Sequence, residues 1–195
     1  MGDVLGIGLT HYPPLCGIDD DMSAVLRRRL QDPNVPAGEK DPRAWPVLMR
    51  REWGDDEGRS AAKLHREALL AGLERCRAEI DAFVPDLIVM FGDDQYENFR
   101  EDVIPPYAIL AYPDLVARPW RDAQHSSAMD GKQNVWGEHP DTEVTVRGRP
   151  DVAREMATAL LEDGIDVAYA YTTLHHPSLS HAFINAVLFL DYGRT

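Results

Sequence analysis

Three apolar runs, each followed directly by a polar cluster, constrain this chain more than any other feature. The runs are Val4–Leu9, Leu87–Phe91 and Val167–Tyr171, and the clusters are Thr10-His11, Asp93-Asp94-Gln95 and His175-His176. Short apolar runs bounded by turn residues predict buried strands. As parallel strands of one sheet, they would align their carboxyl ends along one edge, where open α/β sheets keep their ligand crevice. Residues far apart in sequence would meet there, and they are types that bind metals. The pattern points to chemistry in one crevice.

The segments between the runs read as helices and loops. Pro13-Pro14 allows neither helix nor sheet, so Thr10–Gly17 is a loop. A helix is predicted over Met22–Leu30, then an irregular excursion over Asp32–Pro46 with four prolines. A longer helix runs from about Ser60 to Phe83, with Leu69, Leu73, Cys76, Ile80 and Phe83 on one stripe. Tyr107–Ala111 is a further candidate strand. Asp151–Glu162 reads as an amphipathic helix stopped by Gly164, and Ser178–Leu190 as an apolar helix. Strand–helix alternation predicts an α/β fold with a central mixed, mostly parallel sheet covered by helices on both faces. After the last apolar helix another strand is expected, so the sheet is expected to be small or incomplete at its C-terminal side. Residues 1–195 are read as one domain, and residues 118–139 as a long polar loop within it, of the kind used as lids or binding loops.

Composition narrows the function classes. A formal net charge of −13 disfavours a phosphate backbone as partner, so no nucleic acid is expected. No stretch approaches the roughly 20 apolar residues that cross a bilayer. Met1-Gly2-Asp3 carries no basic segment ahead of a hydrophobic one, and Cys16 and Cys76 lie at no metal spacing. Both features predict a cytoplasmic protein with reduced thiols.

His11 sits at a strand end in a loop stiffened by prolines, suited to a metal ligand or to a turn hydrogen bond. In Gly92–Phe99, carboxylates and the Gln95 amide oxygen could bind a hard or borderline divalent ion. Asp93 or Asp94 could equally cap a following helix. Of His175 and His176, neighbours on an extended segment, only one can face a given site. His181 has packing as its default role. His65 reads as surface or boundary, and His125 and His139 carry no interpretable spacing. The chain lacks HExxH, paired CxxC, GxSxG, a Walker loop and a complete GxGxxG; Gly6-Ile7-Gly8 is only a fragment of the last.

Taken together, Thr10-His11-Tyr12-Pro13-Pro14-Leu15, Phe91-Gly92-Asp93-Asp94-Gln95-Tyr96-Glu97-Asn98-Phe99 and Ile104-Pro105-Pro106-Tyr107-Ala108-Ile109 resemble the class III extradiol ring-cleavage dioxygenases. The nearer likeness is to the protocatechuate 4,5-dioxygenase beta-subunit type. The resemblance implies an iron(II) ion held by two histidines and a glutamate. It also implies a catecholic aromatic diol bound beside O₂, with the metal relaying electron density from ring to dioxygen as the ring opens next to the diol. Carried over, His11 matches the first histidine ligand, Gln95 the position of the second, and His176 a pocket histidine acting as acid or base toward substrate. Asp94, His175 and Tyr96 fall where substrate would be contacted.

Two departures shape the expectation. An amide oxygen at Gln95 donates more weakly than imidazole, which predicts lower iron affinity or a replacement such as Asp94 or Glu97. The family's glutamate ligand and catalytic base come from a later part of the chain, so this sequence is expected to be an N-terminal portion, one piece of a split enzyme, or a degenerate homologue. A homo-oligomer or a complementary C-terminal portion or subunit is the expected partner. The rival readings are a non-catalytic homologous subunit that has lost the metal, and a zinc hydrolase using the same crevice.

Overall fold

The helices form where apolar spacing places them, and their ends follow local chemistry. A computed structural model describes residues 2–124 and 128–193. After a 3₁₀ turn at Pro13–Cys16, helix α1 spans Asp19–Gln31. Its first turn holds Asp19, Asp20 and Asp21, and Asp21 accepts a bond from the Ile18 N–H, a favourable charge at a helix N-terminus. The proline-rich excursion contains α2 (Ala37–Lys40) and a 3₁₀ turn at Pro42–Ala44, and α3 (Val47–Trp53) follows directly after it. Helix α4 spans Arg59–Phe83 and buries Ala62, Arg66 and Leu73 against α1 and α6.

Strands β1 (Ala108–Leu110) and β4 (Ala168–Ala170) pair in parallel, with Ile109 opposite Tyr169. Strands β2 (Leu115–Ala117) and β3 (Val144–Val146), a pair the sequence pattern did not indicate, run antiparallel. The crossover from β1 to β4 ends in α5 (Pro150–Glu162), which contacts both strands and ends before Gly164 in the left-handed region at φ +77°. Helix α6 (His181–Leu190) buries Ile184, Leu188 and Phe189. These meet Leu15, Cys16, Leu73, Tyr112 and Met129 in the core.

The architecture is α/β, but its sheet is less extensive than the pattern implied. Val4–Leu9 and Leu87–Phe91 form no strand, and the two pairs are separate rather than one central sheet. A strand is defined by its hydrogen-bonded neighbour, and neither run has one among the described residues. Instead Val4 is 92% and Phe91 95% exposed, with Ile88 and Val89 also open to solvent.

The polar stretch 118–139 does not hang free. A single π-helical turn occupies Pro119–Ala123, and the Trp120 and Trp136 rings pack 5.4 Å apart. Trp136 stacks on Tyr192 and donates to its carbonyl, while the Val135 N–H bonds to the Cys16 carbonyl at 2.7 Å. His125, Ser126 and Ser127 lie outside the described residues. No helix among the described residues is long and apolar enough to cross a membrane.

Candidate active site

The loop carrying His11 is held from three sides. Asn185, fully buried on α6, donates through Nδ2 to the His11 carbonyl at 2.9 Å and accepts from Gln124. Tyr12 donates its hydroxyl to the Met22 carbonyl at 3.0 Å. Arg66 of α4 donates to the Gly17 carbonyl at 2.8 Å and to the Tyr192 hydroxyl, so its guanidinium clamps the far end of the loop. The main chain at His11 is thereby fixed before any ligand arrives.

The second wall is the Gly92–Phe99 segment. A Cβ on Gly92 would stand 2.9 Å from the Phe183 ring, so any larger residue here would have to push that ring on α6 aside. Asp94 turns away from the pocket and accepts from the N–H groups of Glu97, Asn98 and Phe99. No α-helix follows, so the expected cap serves an isolated turn. These bonds hold Tyr96 at φ +62°, a left-handed conformation costly for a side-chain-bearing residue. On the other side of the turn, Gln95 donates through Nε2 to Asp93 Oδ2 at 2.7 Å.

Helix α6 supplies the third wall. Buried Glu97 accepts both the His181 backbone N–H and its Nδ1 at 3.0 Å. One carboxylate thus satisfies an orphan donor at the helix start and orients the imidazole. Ser180 donates to the Asp93 carbonyl. His181 and Asn185, four residues apart, lie on one face of α6 and address the two other walls.

The result is a hollow of about 360 Å³ lined by Thr10, His11, Tyr12, Pro13, Gln95, Ala128 and His181. His11 Nε2 is 3.4 Å from Gln95 Nε2 and 3.6 Å from Asp93 Oδ1. The His11 and His181 rings meet edge to face at 5.4 Å. Asp93 titrates below the usual carboxylate range, chiefly through the Gln95 hydrogen bond; partial burial opposes this, and the charges of His11 and His181 add to it. A larger hollow of about 600 Å³ lies between α3 and α4 around Arg51, Asp56 and His65. It holds one imidazole–carboxylate pair, His65 Nε2 and Glu52 Oε1 at 3.6 Å, both side chains exposed.

His11 and Gln95, 84 residues apart, therefore meet. His176 does not line their pocket: its ring nitrogens lie 2.9 Å from the Ser178 carbonyl and 3.2 Å from the Asp122 carbonyl. His175 bonds Asp102 at 2.9 Å, Tyr96 is exposed, and Asp94 is spent on the turn. Glu97 is engaged by His181. Sequence reasoning gave His181 packing as its default, and left Asp93 among the Gly92–Phe99 carboxylates as either an ion ligand or a cap. The His181 signal was the four-residue spacing to Asn185 at a helix start.

Would iron(II) fit? Among the described residues, no three His, Cys, Asp or Glu side chains stand together as a ready ion-binding group. Two donors bound at 2.0–2.2 Å on adjacent positions of one ion lie about 3 Å apart. The 3.6 Å between His11 Nε2 and Asp93 Oδ1 is within a small side-chain adjustment of that. Imidazole and carboxylate also match the ligand chemistry of non-haem iron(II). Gln95 fits less well. Its NH₂ faces both Asp93 and His11, and turning the oxygen inward would set it against a carboxylate that accepts but cannot donate.

Fold and pocket together describe an α/β protein with an imidazole–carboxylate pair, His11 and Asp93, at one hollow. Curated relatives give that class a more particular character. The chain is 33% identical over 101 residues to the 2,3-dihydroxyphenylpropionate/2,3-dihydroxicinnamic acid 1,2-dioxygenase 1 of Dechloromonas aromatica (strain RCB), a match covering 52% of this chain and 26% of the relative. It is 28% identical over 117 residues to enzyme 2 of that name from Pseudomonas putida, covering 60% and 30%. The Escherichia coli (strain K12 / DH10B) dioxygenase is 29% identical over the same length. The matched stretch thus spans between a quarter and a third of these relatives. No family model matches the chain, and no solved structure does.

Proposed function

We propose that the chain is part of an iron(II)-dependent extradiol dioxygenase, cleaving the ring of a catecholic aromatic compound with O₂. The observation that carries this is the meeting of His11 with the Asp93–Gln95 segment over one hollow, in a chain related to dioxygenases over about half its length. Iron(II), when bound, supplies the electron path between an electron-rich ring and dioxygen. The chain's own residues do the rest. His11 offers Nε2 from a loop that Asn185, Tyr12 and Arg66 immobilise, which preorganises the donor. Asp93 lies within reach of the same ion, and Gln95 holds its carboxylate in place. The hollow falls within the roughly 300–1,000 Å³ of small-molecule sites, so a single-ring diol is the substrate class proposed. His176 would act on substrate only after releasing the Asp122 carbonyl.

The exposed runs at Val4–Leu9 and Leu87–Phe91 support a covering polypeptide, a complementary C-terminal portion or subunit, that carries the remainder of the catalytic unit. Relatives three to four times longer than the matched stretch argue for that occupant.

Anaerobic loading with iron(II), followed by O₂ and a panel of catechols, should give a yellow ring-opened product with at least one of them. No turnover across the panel with stoichiometric iron bound removes the oxygenase reading. The second reading, a non-catalytic homologous subunit, is favoured by one observation: Gln95 presents N–H, not oxygen, to the His11 nitrogen. It predicts no specific iron binding and no change in metal content in His11→Ala.

A further inference from the structure

Resting on the metal-site reading above, we propose that His181, not Gln95, supplies the second imidazole of the site, completing with His11 and Asp93 a two-histidine, one-carboxylate set within this chain. The resemblance points to Gln95 for that ligand; the geometry does not. Gln95's amide is committed to Asp93 through its nitrogen. His181 has the features of a ligand histidine. It is 4% exposed yet lines the pocket, and Glu97 takes Nδ1 at 3.0 Å. A metal-bound imidazole typically gives its other N–H to a carboxylate in this way, which fixes the ring and raises its basicity. Hydrogen bonds among the described residues leave Nε2 unengaged.

Spacing agrees. An imidazole bound through one nitrogen sets its ring centre roughly 3.2 Å from the ion, so two such rings lie roughly 4.5–5.5 Å apart. The His11 and His181 centres are 5.4 Å apart. No three-ligand group stands ready among the described residues, so Asp93 would have to close on the His11–His181 pair for the three residues to hold an ion, while Glu97 keeps Nδ1 of His181.

Cobalt(II) binding to the whole chain, read by visible absorption and calorimetry, tests this. His181→Asn keeps a donor for Glu97 while deleting Nε2, and should weaken cobalt at least about tenfold, as should Asp93→Asn. Gln95→Ala should lose only a few-fold, through a looser Asp93. In the wild-type chain, ¹⁵N spectra with zinc(II) should show Nε2 of both His11 and His181 shifting, a readout independent of whether the variants fold. Unchanged affinity in His181→Asn, a shift at His11 alone, or a loss in Gln95→Ala equal to that in His11→Ala overturns the assignment and leaves the iron reading standing. No cobalt binding by the wild type overturns both.

Discussion

Glu97 shows how far a side chain's role depends on what faces it. In sequence it is one acidic residue among several and a candidate replacement ligand. In the fold it is 5% exposed and shares one oxygen between the backbone and ring nitrogens of His181. Removing one partner of a buried pair leaves the other unsatisfied, at a cost of about 3–5 kcal/mol. Glu97→Ala is therefore expected to lower the unfolding free energy by an amount of that order, read as a lower urea midpoint with an unchanged m-value. A loss below about 1 kcal/mol, the range of an exposed pair, would show that His181 is not anchored as described. Asp93 differs from its neighbour Asp94 only by the turn: one stands 3.6 Å from His11 at the pocket's border, the other meets three backbone donors.

At the scale of elements, helix α5 gives the clearest electrostatic test. Asp151, in its first turn, is drawn down to about 2, first by the Arg149 side chain and then by the Val152 N–H. A carboxyl lowered on folding stabilises the native state above its unfolded value near 3.8 and loses that contribution as pH falls toward about 2. Arg149→Ala should move Asp151 back toward the ordinary value, as read by carboxyl NMR titration, and blunt the pH dependence of stability across that window. An unmoved titration would mean the pair does not persist in solution. Helices were legible here because their stripes, proline starts and Gly164 stop are local. Strands were half legible: Tyr107–Ala111 and Val167–Tyr171 contain β1 and β4, whereas equally apolar runs at Val4–Leu9 and Leu87–Phe91 have no ladder partner.

Across the whole molecule, those two runs leave an apolar surface that ordinary monomers cover. The chain as it stands should bind a hydrophobic dye and associate more strongly as its concentration rises, by sedimentation velocity. Phe91→Lys with Ile88→Lys should reduce both effects without altering the helices. A single monomeric species at every concentration, silent to the dye, would mean the surface is closed in solution.

Sequence alone determined the α/β class, the four longer helices α1, α4, α5 and α6, and the candidacy of His11 and Gln95 for one crevice, because periodicity, turn chemistry and motif resemblance are written in consecutive residues. Tertiary structure decided which polar groups are free to act. Asp94, Glu97, His175 and His176 are engaged by partners up to 84 residues away, while Asp93 and His181 border or face the hollow. That sorting turns on which donor meets which acceptor when α6 docks on the Gly92–Phe99 turn, a pairing no local pattern encodes.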